Sequence, residues 1–382
     1  MAGLTSKVDI NLGYGCNCKC PFCYYYDSVI TNTNLNTLTT EQAKQQLRRA
    51  RRLGIKEIEF TGGEVTLRKD LVELVQFCKF ELGFKLVSII TNGMALAKRE
   101  YTNRLVAAGV DDVLFSLHGH NSEIHDQLTV TPGSFEKITR AMEICSEMGV
   151  RVRTNTVVCK PNLANLSDLL ELCIDKNVDN ISLVMFNPII QRTNVSSQEG
   201  LYVNYAEAGR EMVKAFDKHK ARLPHTNVRY IPFCFLPGYE SFVTNHDQFN
   251  FEPDEWNNFV SVCIQDGVLR ATVRALRGLR DVRYKRFAMK YGVRGLLMAG
   301  MGRFYTLYQK VKPKQCNQCA YNHVCDYLWK GYHDVYGDED VVPVKGESVN
   351  NPIWVTNAAN IRKPGSLPDK YKDSNILRFR SI

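Results

Sequence analysis

The sequence predicts an α/β fold in which a parallel sheet alternates with helices and a smaller C-terminal region follows. Short apolar runs alternate with longer amphipathic stretches between residues 7 and 190, and glycines end most of those stretches. Repeated strand-then-helix units favour a parallel sheet with right-handed crossovers. Six such units fit either an incomplete barrel or a doubly wound sheet, and the pattern alone does not separate the two.

Each element of this prediction comes from a local pattern. The strands are Val8–Leu12, Glu57–Thr61, Lys85–Thr91, Asp112–Leu117, Arg151–Val158 and Asn180–Met185, and the helices cover roughly 40–53, 70–82, 97–108, 133–149 and 164–176. Thr39-Thr-Glu-Gln has the pattern of a helix start. Gly54, Gly83, Gly109 and Gly149 follow four of the helices, where a left-handed residue ends a helix most easily.

The alternation stops near residue 190, which divides the chain into three predicted parts. These are a sheet domain at 1–190, a smaller domain at 191–345 and an extended tail at 346–382.

Residues 191–262 look irregular, whereas 265–314 look helical and basic, with thirteen Lys or Arg and one acid between Arg270 and Lys314. Arg270, Arg274 and Arg277 share a helical face that could meet phosphate, acidic peptide, RNA or a membrane surface. An ordinary solvated helix face is the alternative.

Composition limits the class of protein. The chain has 382 residues, of which 44% are hydrophobic and 23% charged, with a net charge of +9. It has no apolar run long enough for a transmembrane span and no apolar N-terminal signal. Thirteen cysteines without such a signal indicate a reducing compartment, so we expect a cytoplasmic protein whose clustered cysteines bind metal.

The N-terminal cysteine loop is the most specific motif. Cys16, Cys20 and Cys23 are spaced C-x3-C-x2-C within Cys-Asn-Cys-Lys-Cys-Pro-Phe-Cys. Three thiolates so close together can hold one inorganic cluster, and three ligands on a four-iron cluster leave one iron open. Cys18 lies between them as a bystander. Half of a zinc site, completed by Cys316 and Cys319, is the alternative.

The cysteine loop, the Gly62-Gly63-Glu64 sequence after the second strand and the strand–helix alternation together resemble the radical S-adenosylmethionine (SAM) superfamily. The resemblance covers residues 8 to about 190 and implies a partial (β/α)6 TIM-like barrel. It also implies that Cys16, Cys20 and Cys23 hold a [4Fe–4S] cluster whose open iron binds SAM. An electron from an external flavodoxin- or ferredoxin-type donor would then cleave SAM to a 5′-deoxyadenosyl radical, which takes a hydrogen atom from substrate.

The resemblance also implies a set of SAM-binding residues. Gly62 and Gly63 would let the backbone approach the methionine amine, and Glu64 would accept a hydrogen bond from it. The remaining positions are Ser116 at the ribose, Asn155 beside SAM, Arg153 at the SAM carboxylate, and Phe22 and Tyr24 near the adenine. A simple turn for the glycines, ordinary polar barrel positions for Ser116 and Asn155, and a salt bridge for Arg153 are the alternatives.

A second cysteine group, Cys316, Cys319 and Cys325, resembles the auxiliary-cluster domains called SPASM and Twitch. Trp329 stands where the longer pattern has another cysteine, and no cysteine follows Cys325. One auxiliary [4Fe–4S] cluster is therefore expected, with Cys234 as fourth ligand and Cys263 as runner-up. If neither binds, one iron would be open to substrate. A structural zinc site is the alternative.

The resemblance leaves the substrate open. Many proteins with such C-terminal domains modify peptides or proteins, so we expect a peptide or protein substrate, or an anionic one. Radical oxidation or rearrangement of a sugar, aminocyclitol or nucleotide is the alternative, and so is a non-catalytic electron-transfer protein. The nucleotide-rearranging branch is not expected, because the chain ends Phe379-Arg-Ser-Ile382 without a glycine-rich tail.

Overall fold

The computed structural model describes residues 7–26, 37–187, 198–244, 258–279 and 309–349, together with the single residues 293, 297 and 300. The chain divides into two compact units, one of Asp9–Arg52 and Lys56–Thr226 and the other of Met1–Val8, Leu53–Ile55 and Asn227–Ile382. The predicted domain boundary at residue 190 stays a prediction. Most of the basic segment after residue 279 and nearly all of the predicted tail lie outside the described residues.

Strands and helices alternate along the chain to Thr244. In order they are β1 Lys7–Asn11, α1 Thr40–Arg52, β2 Glu57–Thr61, α2 Leu71–Gln76, β3 Leu86–Thr91, α3 Arg99–Ala108, β4 Asp112–Ser116, α4 Ser122–Thr129, α5 Ser134–Glu147, β5 Arg151–Val158, α6 Lys160–Leu163, α7 Leu166–Asp175, β6 Asn180–Met185, α8 Tyr205–His219, β7 His225–Arg229 and β8 Val243–Thr244.

The sheet confirms the predicted α/β fold as a partial TIM-like barrel. Its eight strands follow one another in the order of sequence, two more than predicted. Strands β2 to β6 are parallel to their neighbours, with pairs such as Ile58 with Val87 and Val113 with Val152. Parallel strands of this kind bring their carboxyl ends to one edge, where the predicted motifs lie.

Local signals in the sequence explain where these helices begin and end. The Thr39 hydroxyl accepts from the Gln42 N–H at 3.2 Å, and the Gln42 side chain accepts from the Thr39 N–H at 2.8 Å, so a reciprocal cap starts α1. Gly109 ends α3 with a φ of 107°, and its N–H donates back to the last turn. Both were predicted positions.

The prediction that residues 191–262 are irregular is wrong for the part that forms α8. The Asn204 side chain accepts hydrogen bonds from the backbone of Ala206 and Glu207 and caps this helix. Ala208, Met212 and Phe216 recur on its buried face. This 3.6-residue period is present in the sequence, but the Asn and Tyr residues around it led to the prediction of irregular structure.

The second unit contains shorter elements. Strand β8 pairs in parallel with β7 through Val228 and Val243. Helices α9 (Asn258–Gln265) and α10 (Val268–Gly278) follow, then β9 (Lys310–Val311), its antiparallel partner β10 (Leu328–Trp329) and α11 (Lys330–Tyr336). Among the described residues, no helix combines the length and the apolar character needed to cross a membrane.

Candidate functional site

The loop after β1 carries the three predicted cluster ligands as free thiols. Cys16, Cys20 and Cys23 are all half-buried. The Cys18 N–H donates to the Cys16 Sγ at 3.4 Å, and the Tyr25 N–H donates to the Cys23 Sγ at 3.4 Å. Backbone N–H groups aimed at sulfur favour the thiolate form, which is the form that binds iron, although the hydrogen bond with the Cys18 side chain and burial raise the pKa of Cys16. The loop therefore has the donor chemistry that an iron–sulfur cluster needs.

The Gly62-Gly63 turn packs directly on this cysteine loop. The Gly63 N–H donates to the Gly13 carbonyl at 2.8 Å, and the Glu64 N–H donates to the Gly15 carbonyl at 2.7 Å. A Cβ at position 62 would lie 2.3 Å from the Gly13 oxygen, and one at position 63 would lie 2.3 Å from the Gly15 oxygen. Glycine is thus required for close backbone approach; the predicted place of the two glycines beside the methionine amine stays a prediction.

Glu64 is buried and its carboxylate is held by four donors. Oε1 accepts from the Thr66 N–H at 3.0 Å, the Thr66 hydroxyl at 2.5 Å and the Thr91 hydroxyl at 2.6 Å, and Oε2 accepts from the Asn92 N–H at 2.7 Å. Burial raises the pKa of Glu64, although these hydrogen bonds act in the opposite direction. The carboxylate is fixed rigidly beside the cysteine loop; its predicted bond to the SAM amine stays a prediction.

Ser116, the last residue of β4, lies beside Asn155 in the middle of β5. They are partners in the parallel pairing of β4 and β5, and Asn155 is in turn the partner of Ser182 on β6. Ser116 and Asn155 are both half-exposed. Register partners in a parallel sheet project from the same face, so the structure brings these two predicted SAM-site residues together.

Arg153 lies in a buried ion pair, and its predicted role at the SAM carboxylate stays a prediction. Its guanidinium is buried, with Nε 2.8 Å and Nη2 2.5 Å from Oδ1 of Asp112, and Nη2 also lies 2.5 Å from Oε1 of Glu59. This geometry favours the salt-bridge alternative over the pairing with the SAM carboxylate. The alternation of side chains along a strand predicts that Arg153 and Asn155 lie on the same face. It does not predict how deeply each side chain is buried in the barrel.

The two aromatic residues flanking Cys23 have different environments. The Phe22 ring meets the buried His118 ring edge-on, with centroids 4.5 Å apart, and packs against a small apolar cluster around Leu128 and Phe186. Tyr24 is 74% exposed and contacts the Tyr25 ring. The predicted placement of both beside adenine stays a prediction.

Two histidines behind Phe22 are held neutral by burial. His118 Nδ1 accepts from the Val157 N–H at 3.2 Å, and His125 Nδ1 accepts from the His118 N–H at 3.1 Å. Burial lowers the pKa of His118 well below its ordinary value and lowers the pKa of His125 to about 4. Accepting ring nitrogens and low pKa values identify both rings as neutral structural groups that support the loop.

In the second unit, four cysteines line one pocket. Cys234, which precedes the other three by more than 80 residues, lies there with Cys316, Cys319 and Cys325. Phe233 and Tyr321 stack at 4.7 Å on the pocket wall. Burial raises the pKa of the Cys325 thiol to about 12 and raises that of Cys234, which the neighbouring cysteines raise further. Cys263, the runner-up, belongs to α9 and is not among the pocket's described lining residues.

Within the described part of the chain, no three His, Cys, Asp or Glu side chains are close enough to bind one metal ion. The cysteines of a four-iron cluster each bind a different iron, so they lie further apart than the ligands of one zinc ion.

Comparison with known proteins identifies one domain of this chain. Residues 10–173 match the family described as the radical SAM superfamily, a span that begins in β1 and includes the cysteine loop, Glu64, Ser116 and Asn155. These residues form a radical SAM domain. A radical SAM domain is built to hold a [4Fe–4S] cluster and SAM, and such proteins depend on an external electron donor.

Relatives of the radical SAM domain carry different names. A protein of Sulfolobus acidocaldarius named "Probable GTP 3′,8-cyclase" is 31% identical over 181 residues, which is 47% of this chain and 56% of that protein. An "AdoMet-dependent heme synthase" of Oleidesulfovibrio alaskensis is 28% identical over 221 residues, 58% of this chain and 55% of that protein. The matches thus span little more than half the length of these relatives.

Among solved structures, Streptococcus suis SuiB bound to S-adenosylmethionine is similar, at 21% identity and a TM-score of 0.49. That likeness covers 59% of this chain and 49% of the SuiB chain.

Two residues at the carboxyl end of β3 were not predicted as site residues. Thr91 and Asn92 both donate to Glu64, so they belong to the site although no role was predicted for them. The available signal was their place at the carboxyl end of a parallel strand, where α/β proteins concentrate functional residues.

Proposed function

We propose that the protein is a radical SAM enzyme. A bound cluster and SAM would supply the radical chemistry: an electron from the external donor would cleave SAM to methionine and a 5′-deoxyadenosyl radical, which would take a hydrogen atom from substrate. The observation that carries the proposal is the direct hydrogen bonding of the Glu64 turn to the cysteine loop. It holds the turn that carries the fixed Glu64 carboxylate against the loop of three half-buried thiols, and Ser116 and Asn155 are register partners in the same domain.

The roles of the chain's own residues follow from this geometry. Cys16, Cys20 and Cys23 supply the thiolates. Glu64 offers a carboxylate whose orientation is fixed by its four donors, so little reorganisation is needed when an ammonium group approaches. Ser116 and Asn155 offer neighbouring polar groups for a ribose. Gly62 and Gly63 hold these parts in contact.

We further infer that Cys234, Cys316, Cys319 and Cys325 hold one auxiliary [4Fe–4S] cluster. Support comes from their convergence on one pocket, because Cys234 supplies the fourth thiol that the C-terminal group lacks. Four protein thiols would leave no iron open to substrate. Such a cluster would accept or relay an electron rather than anchor the substrate, consistent with an oxidative modification.

For the substrate, we propose a peptide or protein. A nucleotide is the second candidate, and it is favoured by the names of the relatives, several of which are called probable GTP 3′,8-cyclases. The match covers only 56–68% of the length of those relatives, so their names alone do not decide the substrate of this chain.

The test is anaerobic reconstitution of the full chain with iron and sulfide, followed by dithionite and SAM. We expect 5′-deoxyadenosine and methionine in equal amounts, and neither from a variant in which Cys16, Cys20 and Cys23 are all changed to Ala. Adding GTP in one arm and a peptide library in another identifies the substrate class by stimulated turnover. Reconstituted protein with a full loop cluster that forms no 5′-deoxyadenosine in any arm would refute the proposal and favour an electron-transfer protein.

A further inference from the structure

Asn92, the residue after β3, makes hydrogen bonds in three directions. Its backbone N–H donates to Oε2 of Glu64 at 2.7 Å, and its side-chain oxygen accepts from the Met94 N–H at 3.1 Å. Its side-chain nitrogen donates to Oδ1 of Asn17 at 2.7 Å and contacts the Sγ of Cys18 at 3.4 Å. One residue therefore touches both Glu64 and the stretch between the first two cluster cysteines.

These contacts exceed what a turn residue needs. An asparagine that only shapes a turn uses its side-chain oxygen on a nearby backbone N–H, and the bond to Met94 already does this. The amide nitrogen is directed instead at a loop 74 and 75 residues earlier in the chain. Cys18 is buried there, whereas Asn17 is exposed. The Asn92 amide therefore contacts both a buried and an exposed residue of this loop.

We propose that Asn92 is a positioning residue that fixes the cysteine loop relative to the Glu64 carboxylate. The proposal rests on the proposed radical SAM function. Asn92 acts through Glu64 on one side and through Asn17 and Cys18 on the other.

The consequence is geometric. If Glu64 binds the SAM amine and the cysteines bind the cluster, their separation sets where the sulfonium stands relative to the irons. A misplacement of about 1 Å can cost roughly 100-fold in rate. Loss of the amide donor should therefore spare cluster binding but disturb the response of the cluster to SAM.

Three variants separate this role from plain stabilisation. Asn92→Ala removes the side chain. Asn92→Asp keeps the oxygen that accepts from Met94 but removes the donor to Asn17 and Cys18. Asn17→Ala removes one acceptor without adding charge. The control is Asn204→Ala, which deletes the cap of α8 through the bonds to Ala206 and Glu207, and so costs stability away from the loop.

The readouts on the reconstituted full chain are iron content, the electron paramagnetic resonance spectrum of the reduced loop cluster with and without SAM, and 5′-deoxyadenosine formation. For the two Asn92 variants we expect near wild-type iron, a diminished SAM-induced spectral change and roughly 10- to 100-fold slower product formation. Asn17→Ala should show the same change more weakly, and Asn204→Ala should match wild type in all three readouts.

The outcomes discriminate clearly. A wild-type spectral response in Asn92→Asp and Asn17→Ala overturns the positioning role, even if Asn92→Ala loses its iron. Wild-type protein that itself shows neither a SAM-induced change nor 5′-deoxyadenosine overturns the proposed function together with this inference.

Discussion

Nε of Arg153 on β5 lies 2.8 Å from Oδ1 and 2.9 Å from Oδ2 of Asp112 on β4, and both side chains are buried. Glu59 on β2 and Arg151 on β5 extend this pair into a network of two cations and two carboxylates. Ions buried in this way depend on one another, because removal of one leaves its partners charged and unpaired. The network thus holds three strands of the radical SAM domain below the carboxyl ends that carry the site.

The first prediction concerns this network. Arg153→Met should lower the free energy of unfolding by about 3–5 kcal/mol, because Asp112 and Glu59 lose a buried partner. Urea unfolding followed by circular dichroism under anaerobic conditions measures the loss. Arg99→Ala is the matched control: Arg99 and Glu147 form an ion pair on exposed side chains, which should be worth no more than about 1 kcal/mol.

The same variant tests the role expected from the sequence. If Arg153 instead pairs the SAM carboxylate, Arg153→Met should weaken SAM binding strongly and leave stability nearly intact. Equilibrium binding of SAM to the folded fraction, measured beside the unfolding curve, distinguishes the two results.

The second prediction concerns the contact between the glycine turn and the cysteine loop. Gly63→Ala should lower stability by about 1–3 kcal/mol and reduce iron in the loop cluster, because its Cβ would meet the Gly15 oxygen at 2.3 Å. Gly15→Ala, in the same loop, meets nothing within 4 Å and should retain iron. Iron analysis after anaerobic reconstitution checks both; equal iron in the two variants would contradict the steric argument.

Much of the site was predictable because local patterns specify it. The spacing of Cys16, Cys20 and Cys23 and the position of Glu64 after a strand are properties of short segments, and the strands were placed nearly to the residue. The burial of a strand side chain inside the barrel is not a property of a short segment. The burial of Arg153 depends on Asp112 and Glu59, which are 41 and 94 residues away, and that pairing needs the assembled sheet. The convergence of Cys234 on the later cysteines was proposed only through a family resemblance.

The third prediction is a pH dependence of stability. The pKa of His125 falls from 6.5 to about 4 on folding because the ring is buried, with buried His118 on one side and Asp126 acting in the opposite direction. The unfolded chain therefore takes up this proton first, and stability is lost as the pH falls from 6.5 towards 4. The contribution of His125 is about 3 kcal/mol over that window.

His125→Asn should flatten this part of the pH profile, because asparagine can still accept from the His118 N–H but does not titrate. Unfolding free energies at several pH values measure the slope. His333→Asn serves as control, since it removes a half-exposed imidazole and leaves His125 in place. Identical slopes in His125→Asn and wild type would show that the ring contributes nothing to the acid sensitivity.

The last prediction concerns the pocket of four cysteines. In a background with Cys16, Cys20 and Cys23 changed to Ala, the chain should retain roughly four irons and four sulfides, held in this pocket. Adding Cys234→Ser should lower that iron, because Cys234 lines the pocket, whereas adding Cys263→Ser should not. The two serine changes are matched in chemistry and differ only in place. Zinc without iron in anaerobically purified background protein would identify a structural zinc site. Loss of iron through Cys263→Ser, but not through Cys234→Ser, would show that Cys263 on α9 is the fourth ligand.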